Sequence, residues 1–242
     1  MKFSIVTVVR NDASHIMETV SSVLDAQKGV DLEYIVIDGA SSDGTLEQLK
    51  TRASEFAALV SEPDSGIYEA MNKGLSRASG DVVGIINSGD RYMPGALRMV
   101  EAALEGRCDD RHILWGDVEY ERGGRVRGFR PEKRYIGAFA PHPSMFVPLE
   151  CYRRCGFYDQ SFRLLGDYDF MYRAVNVLGV EPVYLPEILA FYRAGGLSDR
   201  RIFACLRDEL RVKLRYGASP VASYAAFFLK LLKNLPRQLL AK

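Results

Sequence analysis

The chain has 242 residues, a formal charge of +1, 48% hydrophobic and 26% charged residues, and four cysteines. This is ordinary soluble globular composition, enough for one large domain or two small ones, and it offers no global charge to attract nucleic acid, so no nucleic-acid partner is expected. Cys108, Cys151, Cys155 and Cys205 lack CxxC spacing and read as reduced packing thiols of a cytosolic protein, while the opening MKFSIVTVVRND is too short in its apolar run for a signal peptide.

In chain order, residues 3–9 are a β-branched run, as in a strand buried on both faces. Ile16, Val20, Val23 and Leu24 recur at helical spacing, so 14–26 is predicted to be an amphipathic helix. LEYIVI (32–37) is a second buried strand, 45–56 a helix that Ser42 or Asp43 could cap, and 59–61 a short third strand. A helix over 67–78, broken at Gly80, leads to a fourth strand at 81–86. Strand and helix alternating in this way imply a parallel sheet with right-handed crossovers, whose ligands bind beyond the C-terminal strand ends. The second half changes character: a helix at 96–104, a hairpin of 113–120 and 125–129 around Gly123-Gly124, short strands at 146–147 and 183–185, and a helix at 167–178. With no linker and no repeat, one α/β domain with a mixed, mainly parallel sheet is expected over 1–218, its halves meeting near 95, followed by a basic amphipathic segment at 219–242.

Chemistry gathers where the strands stop. Asp38 opens DGASSDGT, either a loop with a helix cap or an acceptor for the polar edge of a bound base; there is no GK[ST] and no GxGxxG. Lys73 by itself reads as a solvated helix lysine. Asp90 ends INSGD directly after a buried strand, a position suited to holding Mg²⁺ or Mn²⁺ against a diphosphate, since magnesium takes one or two carboxylates and completes its shell with water and phosphate.

Taken together, FSIVTVVRND, YIVIDGASSDGT, SEPDSGIYEAMNKGL, INSGD and GDYDF resemble a bacterial family 2 glycosyltransferase over residues 1–200, and are similar to the group that builds exopolysaccharide, capsule and lipopolysaccharide, colanic-acid-type transferases included. The resemblance implies a GT-A fold, a nucleotide-diphospho-sugar donor, a divalent metal (Mg²⁺ or Mn²⁺), inversion at the anomeric carbon, and a glycan or polyprenyl-linked acceptor. It implies that Thr7, Val9, Arg10, Asp38 and Ser41 line the nucleoside side, and that Asp64, Ile67, Met71 and Lys73 border the base, ribose or diphosphate. The acidic metal motif falls on Ser88-Gly89-Asp90, where only Asp90 is a carboxylate. Asp167 falls on the general base, which removes the acceptor proton; without the resemblance it, or Asp169, reads as a helix cap. His142 of APHPSMF, whose flanking prolines argue against a helix, is an acceptor candidate or a structural loop histidine. Asp117 is an acceptor contact or a hairpin residue, and Asp169 a loop support or an acceptor contact.

Residues 121–134 carry Arg122, Arg125, Arg127, Arg130, Lys133 and Arg134, a solvated face or a site for an anionic acceptor or phospholipid. The tail 220–242 has Lys230, Lys233, Arg237 and Lys242 among leucines and phenylalanines and no acid, with Pro236 expected to interrupt it. It suits an interfacial helix at the inner face of the plasma membrane, or one packed on the domain or on a second subunit as a homodimer. Two other functions compete: a sugar-phosphate nucleotidyltransferase, whose Gly- and Arg-rich opening VVRNDASH lacks, and a GT-A-like module that binds nucleotide or a partner without turnover.

Overall fold

The computed structural model describes residues 1–133, 140–196 and 201–239. Its first half alternates as expected: β1 (Lys2–Val9), α1 (Ile16–Ala26), β2 (Asp31–Asp38), α2 (Thr45–Lys50), β3 (Ala58–Ser61), α3 (Ile67–Leu75) and β4 (Val82–Asn87). These strands are parallel, and their register sets Val9 opposite Asp38, Asp38 opposite Ser61 and Val8 opposite Asn87. Four strand ends therefore share one edge, where the loops that follow them must meet.

The second half supplies β5 (Arg91–Tyr92), α4 (Ala96–Ala103), β6 (His112–Tyr120), β7 (Arg125–Val126), β8 (Met145–Pro148), α5 (Leu149–Cys155), α6 (Gly166–Tyr172), β9 (Glu181–Tyr192), α7 (Ile202–Arg215) and α8 (Pro220–Leu239). All strands join one mixed sheet in the order β3-β2-β1-β4-β8-β6-β9-β5, with β7 paired to β6. Because successive strand residues point to opposite faces, β1 feeds two cores. Ile5 joins Val20, Leu49, Leu97 and Phe146 on the face of α1, α2 and α4. Val6 joins Met71, Leu75, Tyr152 and Phe170 on the face of α3, α5 and α6. Gly74 lets α3 lie close against β1, since a Cβ there would stand 2.2 Å from Val6 Cγ1.

Several expectations need correction. The helix predicted over 45–56 stops at Lys50 and resumes as a 3₁₀ turn, Ala53–Glu55; the Thr51 hydroxyl turns back to the Gln48 carbonyl at 2.6 Å, a local bond that competes with helix propagation. The hairpin partner expected over 125–129 shrinks to Arg125–Val126, because the Gly128 amide donates to Asp117 Oδ1 at 2.6 Å instead of to the ladder. The strand read at 183–185 extends over Glu181–Tyr192: a bulge in its pairing with β6 around Asp117 accommodates Pro186. Pro141 and Pro143 do not forbid a helical turn, since prolines fit the start of the 3₁₀ turn His142–Ser144. The α8 backbone runs through Pro236 to Leu239, the proline removing one amide near the helix end. The elements β5, α5 and α7 have no counterpart in the sequence reading. Arg134 of the basic run and Leu240 and Lys242 of the tail lie outside the described residues.

Candidate active site

The end of β2 carries the site's most telling polar group. Asp38 is fully buried; its Oδ2 accepts from the Ser41 amide at 3.1 Å and the Ser61 hydroxyl at 2.6 Å, while its Oδ1 is enclosed without a donor. An orphaned buried acceptor costs roughly 1–3 kcal/mol unless something donates to it. Beside it, Arg10 extends into solvent with Nη1 4.0 Å from Asp64 Oδ1, and both crowd Gly39, whose missing Cβ would stand 2.3 Å from Asp64 Oδ2 and 3.2 Å from Arg10 Cδ. Ser41 ties this loop to the end of β1, its Oγ accepting from the Asn11 amide at 2.8 Å.

At the end of β4, Gly89 adopts φ +93°, a left-handed conformation that glycine tolerates, and turns the chain so that Asp90 is enclosed. Asp90 Oδ1 accepts from the Arg193 amide at 2.9 Å. Burial pushes its carboxyl up to about 7, only partly opposed by the amide and charge of Arg193. Asp12, unread in the sequence, stands next to this turn: the Ser88 hydroxyl donates to Asp12 Oδ2 at 2.7 Å, and a Cβ on Gly89 would lie 3.8 Å from the same oxygen. Its other oxygen meets His15 Nδ1 at 2.6 Å. A carboxylate from the β1–α1 loop thus stands beside position 88. Among the described residues no three of His, Cys, Asp and Glu gather into a metal cage. The donor set fits a cation carried mainly by water and phosphate, which needs only one or two protein carboxylates.

Asp167 sits in the first turn of α6, half-buried, its Oδ1 accepting from the Tyr68 hydroxyl at 3.1 Å and the Tyr168 amide at 2.9 Å. It does not cap the helix; Leu165 occupies that position. Tyr68, from α3, also donates to the Leu164 carbonyl at 2.8 Å. Asn72 on the same helix clamps Tyr158 in both directions, its Nδ2 donating to the Tyr158 carbonyl at 2.8 Å and its Oδ1 accepting the Tyr158 amide at 3.0 Å. The Tyr158 hydroxyl lies 3.4 Å from His142 Nε2. His142 is buried with Nδ1 lacking a partner; burial holds it below the usual imidazole range, and the charge of Asp167 pulls the other way. The antiparallel pairing of β4 with β8 runs from Val82 opposite Pro148 to Gly84 opposite Phe146, so the turn before β8 lies toward the Asp90 end of β4. His142, in that turn, stands within electrostatic reach of Asp167.

One face of α7 bolts this region in place. Arg215 bonds Asp159, Arg211 bonds the Ser161 carbonyl and hydroxyl at 3.2 Å each, Asp208 takes the Leu164 amide, and Tyr216, one residue beyond the helix, donates to Asp169 at 3.1 Å. These positions recur at helical spacing along the loop that leads to Asp167.

Other expected residues stand elsewhere. Thr7, Val9 and Met71 have side chains in the core, Thr7 sharing a 3.0 Å hydrogen bond with Tyr34, so they present no side chain to a ligand. Ile67 is partly buried against the same core. Burial works against the charge of Lys73, but Glu69 at 3.0 Å and Glu62 at 3.1 Å outweigh it and raise the ammonium above its ordinary value; the lysine braces the loop after β3. Asp117 is filled from within by Arg125, the Gly128 amide and the Tyr184 hydroxyl, and so orders the β6–β7 hairpin instead of facing an acceptor. Asp169 is fully buried between Tyr216, Arg173 and Arg215, an internal anchor out of an acceptor's reach.

Comparison with known proteins follows the same lines. The model for Glycosyl transferase family 2 matches residues 4–161. An uncharacterized glycosyltransferase of Mycobacterium tuberculosis is 33% identical over 215 residues, covering 86% of this chain and 81% of the relative. Among solved structures, S. aureus TarS 1-349 in complex with UDP-GlcNAc is similar with TM-score 0.68 and 16% identity, covering 98% of this chain and 73% of that one. The mannosyltransferase PcManGT from Pyrobaculum calidifontis, in complex with GDP-Man and Mn²⁺, is similar with TM-score 0.66 and 17% identity, covering 94% of this chain and 68% of that one. The fold is that of GT-A transferases.

Proposed function

Because this chain belongs to glycosyl transferase family 2, we propose that it moves a sugar, with inversion, from a UDP- or GDP-linked donor to a glycan or polyprenyl-linked acceptor in cell-surface polysaccharide synthesis. The observation that carries the reading is the enclosed, unsatisfied Oδ1 of Asp38 at the sheet's ligand-binding edge, the acceptor that a base N–H would satisfy. The complexes of TarS with UDP-GlcNAc and of PcManGT with GDP-Man support a nucleotide-sugar donor. In this reading residues 1–95 hold the nucleotide and 96–218 the acceptor.

Asp90, with its buried carboxyl, would hold Mg²⁺ or Mn²⁺ together with the donor's phosphates, and the cation would supply the charge that the leaving diphosphate needs. Asp167 takes the proton of the acceptor hydroxyl as that oxygen bonds the anomeric carbon and the bond from that carbon to the diphosphate breaks. Tyr68 holds the carboxylate in orientation, and buried, neutral His142 stands near it. The helix α8 turns Val221, Tyr224, Phe228 and Leu232 outward, which supports attachment to the inner membrane surface; no helix among the described residues is long and apolar enough to cross a membrane.

The lone Asp90 in place of an acidic motif favours one rival, a nucleotide-binding module without turnover. Purified protein incubated with a panel of UDP- and GDP-sugars separates the two. A transferase releases nucleoside diphosphate from one donor and loses that release on chelation and in Asp167→Asn. Nucleotide binding by calorimetry with no release from any donor establishes the module.

A further inference from the structure

Beside the base lies a cavity of about 200 Å³ lined by Tyr68, Gln160, Phe162, Arg163, Leu164 and Arg201, with the start of α3 at its rim. Tyr68 and Leu164 connect it to the chemistry, since the Tyr68 hydroxyl bridges the Leu164 carbonyl and Asp167 Oδ1. Among the described residues neither Arg163 nor Arg201 has an acidic partner, although both face this space. Most arginines around them are already engaged: Arg211 with Ser161, Arg215 with Asp159, and Arg173 with Asp169 at 3.6 Å. On the other side of Phe162, the Arg211 and Arg215 guanidinium groups lie 4.7 and 4.8 Å from the centre of the ring and hold that wall in place.

The one acid on the lining is Glu69. Its Oε2 accepts from the Ser65 amide at 2.9 Å and the Ser65 hydroxyl at 2.5 Å, and its Oε1 pairs with Lys73 at 3.0 Å. Its charge is therefore answered locally and leaves the two arginines uncompensated. A planar guanidinium matches the oxygens of a phosphate or carboxylate bidentately, and two such groups around one small cavity select an anion over a neutral sugar.

Resting on the reading of Asp167 as base, we propose that this cavity binds an anionic group, a phosphate by preference, on the acceptor, with Arg163 and Arg201 gripping the anion so that a neighbouring hydroxyl meets Asp167. The acceptor is thus a phosphate-bearing sugar, and the arginines set its specificity. They are separate from the donor's diphosphate, which belongs with Asp90 across the strand ends.

The test is calorimetry on UDP-saturated protein with hexose 1-phosphates and the matching methyl glycosides as probes. The phosphates are expected to bind at least about tenfold tighter, and the Arg163→Ala/Arg201→Ala double variant to lose that preference while keeping its affinity for UDP. The Arg163→Lys/Arg201→Lys variant, which keeps charge without the fork, is expected to retain part of it. Hexose phosphates carrying an undecyl tail distinguish the source: tighter binding with the tail marks a lipid-linked acceptor, unchanged binding a soluble one, and both are phosphate-bearing. Equal affinity for phosphate and glycoside overturns the proposal, as does a loss of UDP affinity in the alanine variant equal to the loss of phosphate affinity, which would assign the arginines to the donor. Donor hydrolysis by the wild type, which needs no acceptor, tests the transferase reading separately; if every donor fails, that reading falls while the calorimetric comparison still decides the anion site.

Discussion

The proposed donor side and base side of the site are held by different means. The donor side is built from the backbone: parallel strands end in register, Gly39 and Gly89 let loops close in, and the key acids Asp38 and Asp90 accept from the amides of Ser41 and Arg193. The base side is built from side chains: Tyr68 and Asn72 reach over from α3, and α7 grips residues 159–169 through Asp208, Arg211 and Arg215, with Tyr216 just past its end. A backbone-built site is set by topology and tolerates substitution of its neighbours. A site built from side chains depends on each of its bonds, and it can be retuned without disturbing the sheet.

That difference predicts separable failures. The largest is expected in Asp167→Asn, which removes the proposed base: turnover falls about 10³-fold while nucleotide affinity measured by calorimetry is unchanged. Asp90→Asn is expected to lower turnover about 100-fold and yet to stabilise the fold. The sign follows from its burial: with the folded carboxyl raised from 3.8 to about 7, the native state binds the proton more tightly, so stability falls as pH rises from about 4 to 7. Above pH 7 the buried charge is fully destabilising, and calorimetric melting without nucleotide or metal is expected to show Asp90→Asn more stable at pH 8 by roughly 2 kcal/mol, the gain vanishing near pH 4. Asp38→Asn presents an NH₂ group where an acceptor is needed; nucleotide affinity is expected to drop roughly 10- to 100-fold, with turnover at saturating donor nearly kept. Arg215→Ala, far from the donor, is expected to cost about tenfold in kcat and nothing in nucleotide affinity. If Arg215→Ala instead weakens nucleotide binding, the division between the two sides is broken.

The same division explains what could be read from the chain. Strand ends are legible because a buried β-branched run that stops at polar turn residues announces both the strand and its edge, and Asp38 and Asp90 stand at such ends. Side-chain direction within those strands was less legible. Thr7 and Val9 belong to the right strand, but the pleat turns them into the core, and Met71 follows the apolar face of its helix. Asp117 and Asp169 were named as acids near the right motifs, yet neither spacing nor residue type reveals that Arg125, Tyr184, Arg173 and Tyr216 fill them from inside. Asp12 carries the same signal, an acid three residues beyond a strand end of the same kind. The α7 contacts, by contrast, join residues 40 or more positions apart, and only the folded chain brings Asp208 to Leu164 or Arg211 to Ser161.

The most direct measurement is a crystal structure with an intact nucleotide sugar and Mn²⁺. The account predicts the base N–H on Asp38 Oδ1, the diphosphate at Asp90, and the Asp167 carboxylate facing the anomeric carbon from the side opposite the diphosphate. A nucleotide bound elsewhere, for instance in the cavity of about 810 Å³ between Met1, Glu101 and Cys108, or an Asp167 carboxylate turned away from the sugar, would contradict it.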